Sequence, residues 1–164
     1  MIILELVKGV ALLLTLCLMY GLIARRWSKD ERVGQLLSGI LFGGICIIGM
    51  LTPIEAAPGV IFDARSVILS LAGLFRGPVI GVIAGGIAGG YRLWLGGGGA
   101  AVGVAVIISC VLLGLAYRHA VQRAWFRIDV WRLLAFGLLV HLVVIFLFTF
   151  LPVAIMATVM ESIA

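Results

Sequence analysis

Apolar runs of about membrane length follow one another along almost the whole chain, with short charged clusters between them. They fall at 2–24, 33–51, 59–76, 77–95, 100–117 and 133–157. A helix of about 20 residues crosses the roughly 30 Å hydrocarbon core of a bilayer. Only helices and closed barrels satisfy their own backbone hydrogen bonds there. The 164 residues are 64% hydrophobic and 12% charged, far more apolar than a water-soluble core requires. The expectation is an all-α polytopic membrane protein, a bundle of about six transmembrane helices that includes a glycine-rich central hairpin. It forms a single domain over residues 1–164. The first run has no basic leader and no small-residue cleavage site before Arg25, so it is expected to stay as a helix rather than be removed as a signal peptide.

The net charge of +5 does not point to nucleic acid, because the basic residues sit at the ends of the apolar runs. Arg25, Arg26, Lys29 and Arg32 form one cluster; Arg118, Arg123, Arg127 and Arg132 form another. Cytoplasmic loops carry such an excess of Lys and Arg. Both clusters are therefore expected inside, with the N-terminus outside. The loop 54–59, which contains Glu55 and Pro58 and follows Pro53, is expected outside. The middle pair of runs then forms a hairpin that begins and ends outside, whether it spans fully or is re-entrant. The last run, expected to kink at Pro152, leaves Ala164 outside as well. Cys17, Cys46 and Cys110 each lie within an apolar run, without CxxC spacing, and read as small core residues rather than metal ligands.

Gly73, Gly77, Gly81, Gly85 and Gly89 recur every four residues in the hairpin. Small residues at this spacing let helix backbones approach closely in a membrane. Gly77-Pro78 marks a turn, with proline at the first position of the next helix, and Arg76 beside it marks the cytoplasmic end. Two arginines interrupt the apolar stretch, Arg65 lying 12 residues before Gly77 and Arg92 lying 15 after it. At about 1.5 Å per residue, both rise roughly 18–22 Å from the apex, to a similar depth in the outer half of the membrane.

A charge at membrane depth is costly and marks a paired or water-lined site. The guanidinium fork suits carboxylate or phosphate, and two forks at one depth repel unless an anion sits between them. Asp63 and Glu55 are internal candidates for that anion; a bound small anion is the other. An ion network that only holds the hairpin and an anion-binding pocket both remain open, and they are compatible. Gly96-Gly97-Gly98-Gly99 precedes a helix start, where backbone N–H groups favour anions, so Gly98 and Gly99 join the candidate site. Tyr91 and Trp94 flank Arg92 and also fit an interfacial aromatic belt. His119 is expected in the basic loop. His141 reads as a hydrogen-bonded packing residue, with a proton-sensitive role as the alternative. No catalytic constellation, metal-ligand spacing or phosphate loop is present, so neither enzymatic activity nor a cofactor is expected.

Phe62-Asp63-Ala64-Arg65-Ser66, Leu71-Ala72-Gly73-Leu74-Phe75-Arg76-Gly77-Pro78, Tyr91-Arg92 and the glycine run to Ala100 resemble the LytS/YhcK-type five-transmembrane receptor domain. The match is densest over 59–103. Arg76 departs from it, standing where the family usually has an apolar or aromatic residue. The resemblance implies a sensor input module in the bacterial inner membrane, joined to a histidine kinase of a two-component phosphorelay or to a diguanylate cyclase. It implies responses to small carboxylates or to the state of the cell envelope and its wall. It also implies a homodimer that reaches a response regulator only through a kinase domain outside this chain. Asp63, Arg65 and Arg92 match motif positions and become the ligand-site candidates. A final family helix is expected near Ala164, since an outside C-terminus needs one more crossing to meet a cytoplasmic output domain. The alternative reading is a solute-binding subunit of a vitamin-type transporter, which shares the helix number and Gly-Pro hairpins.

Overall fold

The computed structural model describes residues 2–27, 31–51, 54–57, 60–62, 65–96, 99–123 and 129–149. Six helices are found among them: α1 (Ile2–Arg26), α2 (Arg32–Leu51), α3 (Arg65–Leu71), α4 (Pro78–Leu95), α5 (Ala100–Gln122) and α6 (Val130–Phe148). All but α3 are long and apolar enough to cross a membrane. Residues 54–57, expected within a plain loop, instead form one strand of a small antiparallel pair. Its strands are β1 (Ile54–Ala57) and β2 (Val60–Phe62), with a register shift between Glu55 and Ala57.

That hairpin corrects the third apolar run. The residues up to Phe62 are spent on β2, so the helical arm begins only at Arg65. It continues from α3 into a five-residue π-helical stretch, Ala72–Arg76. Twelve helical residues span about 18 Å, well short of the roughly 30 Å core. The hairpin therefore has a half-length arm and a full-length arm. The apex is Gly77, whose φ of 90° suits glycine, followed by Pro78 at the start of α4. Proline is favoured there because its missing N–H has no intrahelical acceptor in the first turn.

Glycine contacts set the direction of the helices. A Cβ on Gly39 or Gly43 of α2 would meet Ile83 or Ile87 of α4 at 2.6 and 2.8 Å. Both sequence numbers rise together, so α2 and α4 run parallel. Gly114 of α5 lies against the carbonyl of Ser70, and Arg118 reaches Leu74; α3 and α5 are likewise parallel, and opposite to the first pair. The pattern Gly39-x-x-x-Gly43-Gly44-Ile45 returns 42 residues later as Gly81-x-x-x-Gly85-Gly86-Ile87. In α2 its spaced glycines receive α4, and in α4 they receive Val111 of α5 at 3.1–3.2 Å. The same device thus docks two successive helices.

The core lies where α2, α3, α4 and α5 meet. Ile68, Leu69, Ile80, Val106 and Ile107 are buried there, with Cys46 and Cys110 among them. Cys17 faces outward from α1. Burying Ser38 and Ser70 costs little, because each hydroxyl donates to a carbonyl of its own helix, Gly34 and Val67. α1 joins through the edge-on pair Tyr20–Phe42, centroids 5.9 Å apart, and α6 through Tyr117–Phe136 at 4.8 Å. Outward faces remain apolar, as lipid requires.

Two further boundaries differ from the sequence reading. α5 does not end at Tyr117 but runs to Gln122, so Arg118 and His119 are helical rather than in a loop. α6 begins earlier, at Val130, with Asp129 Oδ1 accepting from the Val130 N–H at 2.8 Å. An exposed aspartate at the N-cap is a favoured helix start. Pro152 lies outside the described residues.

Candidate functional site

Arg92 stands in the last turn of α4, where the partial negative charge of the helix end favours a cation. Its Nη1 donates to the Gly96 carbonyl at 2.8 Å. Gly96 itself has a φ of 70° and donates its N–H back to the carbonyls of Arg92 and Leu93. The glycine thus ends α4 and presents a carbonyl to the arginine. Its left-handed φ is the reason that glycine stands at this place in the run.

The remainder of the side chain lies across α5. A Cβ on Gly103 would come within 2.6 Å of Arg92 Nε and 3.1 Å of Cγ. Gly103 is therefore the floor on which the guanidinium stem rests, half-buried between two helices. A glycine at the fourth position of a helix had no assigned role in the sequence. Its signal, legible afterwards, is a small residue level with a charged residue on the neighbouring arm.

Arg65 opens α3 and is half-buried. It lies within electrostatic reach of Arg92. The pairing of Ser70 with Gly114 places Arg65 level with Ser109, six residues from Gly103 along α5. Its backbone therefore starts about 9 Å deeper than the Gly103 level on which Arg92 rests, so the two arginines do not enter at the similar depth that their comparable spacing from the apex suggested.

Tyr91 is half-buried and its ring stacks on Trp94, centroids 5.6 Å apart at 36°. Trp94 is 79% exposed, as an interfacial aromatic is expected to be. Gly99 caps α5 and accepts from the Gly103 N–H at 2.9 Å. Asp63 and Gly98, and the side chains of Glu55 and Arg76, lie outside the described residues.

The glycine series divides by position. Gly73 packs against the α5 backbone, where a Cβ would meet the Val111 carbonyl at 2.8 Å. Gly81 and Gly85 face Val111, and Gly77 with Pro78 forms the apex. Gly89 has no atom within 4 Å of its missing Cβ, so the four-residue spacing does not extend close contact to it. A lone glycine off the series, Gly114, makes the tightest approach of all.

At the opposite end of the bundle, Arg118 Nη1 donates to the carbonyls of Leu74 and Phe75, both at 3.2 Å. Its guanidinium also covers Gly77 at 3.4 Å from the position of a Cβ. Sequence reasoning counted this residue only as a positive end charge. Nothing in the sequence separates it from Arg123; only the packing of α5 on the short arm does. His141 Nδ1 pairs with the Gly137 carbonyl at 2.8 Å within α6.

Among the described residues no cluster of three His, Cys, Asp or Glu side chains is placed to hold a metal ion. The molecule is a multi-pass helical membrane domain, with two neighbouring cationic side chains near one end of a broken hairpin. The chain belongs to the 5TM-5TMR_LYT family, described as the 5TMR of 5TMR-LYT, whose family model matches residues 19–164. This family is a membrane sensor input domain of signalling proteins and is not itself catalytic. No curated protein and no solved structure matches the chain.

Proposed function

We propose that this domain senses a small anion, such as a carboxylate, that enters from outside the inner membrane and bridges Arg65 and Arg92. One observation carries the reading: two half-buried arginines of like charge, Arg92 resting on Gly103 of α5 and Arg65 opening α3, stand on elements that both pack on α5. Half-buried charges repel strongly where the dielectric is low, and an anion between them relieves that repulsion. Arg92 Nη1 bonds a carbonyl at its own helix end, and a guanidinium fork has further donors to offer a ligand. Tyr91 and Gly99 border the site, and Asp63 is its internal competitor. The bound anion favours one packing of the short arm against α4 and α5. It does so only through differential affinity for two packings. The output is a histidine kinase or a diguanylate cyclase.

The test is a thermal-shift panel on the purified protein in detergent, with small carboxylates, phosphate and nucleobases as ligands. Wild type, Arg65→Ala and Arg92→Ala run side by side. A ligand present at a hundredfold excess over its Kd adds about 2.7 kcal/mol of stability. The expected result is a carboxylate-specific rise in Tm that both substitutions abolish. Failure of every ligand to shift wild type, with both variants strongly destabilised, would instead mark a purely internal ion network.

A further inference from the structure

The lipid-facing side of α4 and α5 carries a second feature, which starts beside Arg92 and runs toward the opposite end of the bundle. A groove of about 400 Å³ runs between these helices. Its floor is Gly81, Gly85, Gly86 and Gly90 of α4, and its wall includes Ile108 and Leu112 of α5. Among the described residues nothing lies within 4 Å of a missing Cβ on Gly86 or Gly90, so this part of the floor is open, while Gly81 and Gly85 lie against Val111.

A second depression adjoins it toward the basic end. Pro78, Arg118, His119 and Gln122 line that depression, and Leu112 and Leu115 belong to both. The two form one path with an apolar length and a cationic, hydrogen-bonding head. Arg118 is held in place by the Leu74 and Phe75 carbonyls, so its charge is fixed at the mouth, while His119 and Gln122 are exposed beside it.

Dimensions decide what fits. From Gly81 to Gly90 the floor extends about 14 Å, which is half of the roughly 30 Å hydrocarbon thickness. It begins three residues beyond Pro78, at the end that carries Arg118 and Arg123. A molecule filling the path therefore places an apolar chain along one leaflet and a negative group at that leaflet's surface. Basic pockets between transmembrane helices at the cytoplasmic face bind anionic lipid head groups in this manner.

We infer that this path is a binding site for an anionic phospholipid of the leaflet on the Arg118 side, with one acyl chain in the glycine groove and its phosphate at Arg118, His119 and Gln122. The lipid then braces α4 against α5 beside the hairpin apex. Its head-group end lies at the opposite end of the bundle from the arginine pair and does not depend on it.

The test uses the purified protein in neutral detergent. It is titrated with phosphatidylglycerol, with phosphatidylcholine of matched acyl chains, and with glycerol 1-phosphate. Phosphatidylglycerol is expected to raise Tm by several degrees, phosphatidylcholine far less, and glycerol 1-phosphate not at all. Gly86→Leu fills the open groove without touching the Arg118 tie, and is expected to remove the lipid shift. The doubly substituted His119→Glu, Gln122→Glu protein is expected to remove the preference for negative charge while keeping its unliganded Tm. Equal shifts from both lipids overturn the inference, as does an equal response to glycerol 1-phosphate or a full lipid shift in Gly86→Leu. A protein that is dimeric by light scattering and becomes monomeric on Gly86→Leu also overturns it, by seating a second copy in the groove.

Discussion

Two arginines, one at each end of the same helices, solve the problem of a half-buried charge differently. Arg92 bonds a carbonyl four residues ahead, at the end of its own helix, and rests on Gly103. Arg118 bonds carbonyls 44 and 43 residues behind it, on the short arm of the hairpin. Neither uses a carboxylate for these bonds; both neutralise the negative end of a helix. The local bond can be exchanged for a ligand while the tertiary contacts stay. The long-range bond cannot be released without freeing the end of the π-helical stretch from α5. With the anion site proposed above, the difference assigns recognition to Arg92 and the holding of the frame to Arg118.

The comparison breaks most completely when the frame itself is lost. Gly114→Leu drives a side chain into the Ser70 carbonyl, which is backbone and cannot rotate away. Overpacking costs about 1–3 kcal/mol and sometimes more, and here the upper end is expected, with no folded monodisperse protein recovered by size-exclusion chromatography. A well-folded Gly114→Leu protein would show that α3 is not seated on α5 as described.

Arg118→Met comes next. It retains the apolar stem and removes two carbonyl bonds, for an expected loss of about 1–3 kcal/mol, read as a lower Tm. The carboxylate response is expected to persist, because the outer site is intact. If Arg118→Met erased the response while Tm held, the division of labour between the two arginines would be wrong.

Gly103→Ala sharpens the contrast from the other side. The new methyl meets the flexible end of Arg92 rather than backbone, so the side chain shifts and stability changes by less than about 1 kcal/mol. Ligand affinity is expected to fall at least several-fold by isothermal titration, since the guanidinium loses its resting place. Unchanged affinity would remove Gly103 from the site.

Gly90→Ala is the smallest expected effect. It sits two residues from Arg92 on an open helix face, with nothing within 4 Å of the added carbon. Alanine is the better helix former by about 0.5–1 kcal/mol, so Tm should hold or rise slightly and anion binding should not move. A marked fall in anion affinity would mean that the site reaches farther around α4 than its contacts indicate.

Much of this was legible in the residues alone. Helix number, membrane insertion and the Gly77-Pro78 apex follow from apolar run length and from the backbone limits of two residue types, which are local properties. The motif around Arg65 and Arg92 likewise marked the chain as a member of its family. The short arm was not legible, because residues 60–62 are as apolar as the helix that follows, and apolar composition does not distinguish a strand from a helix start. Nor were the roles of Gly103, Gly114 and Arg118, whose partners lie 11 to 44 residues away.

That these segments are helices in a membrane follows from the residues alone, since length and hydropathy act within a segment. Which glycine admits a backbone, which admits an arginine and which stays open on the helix face emerged from the packing of the helices. Those outcomes depend on the register between helices, and register is a property of pairs of segments that no single segment encodes.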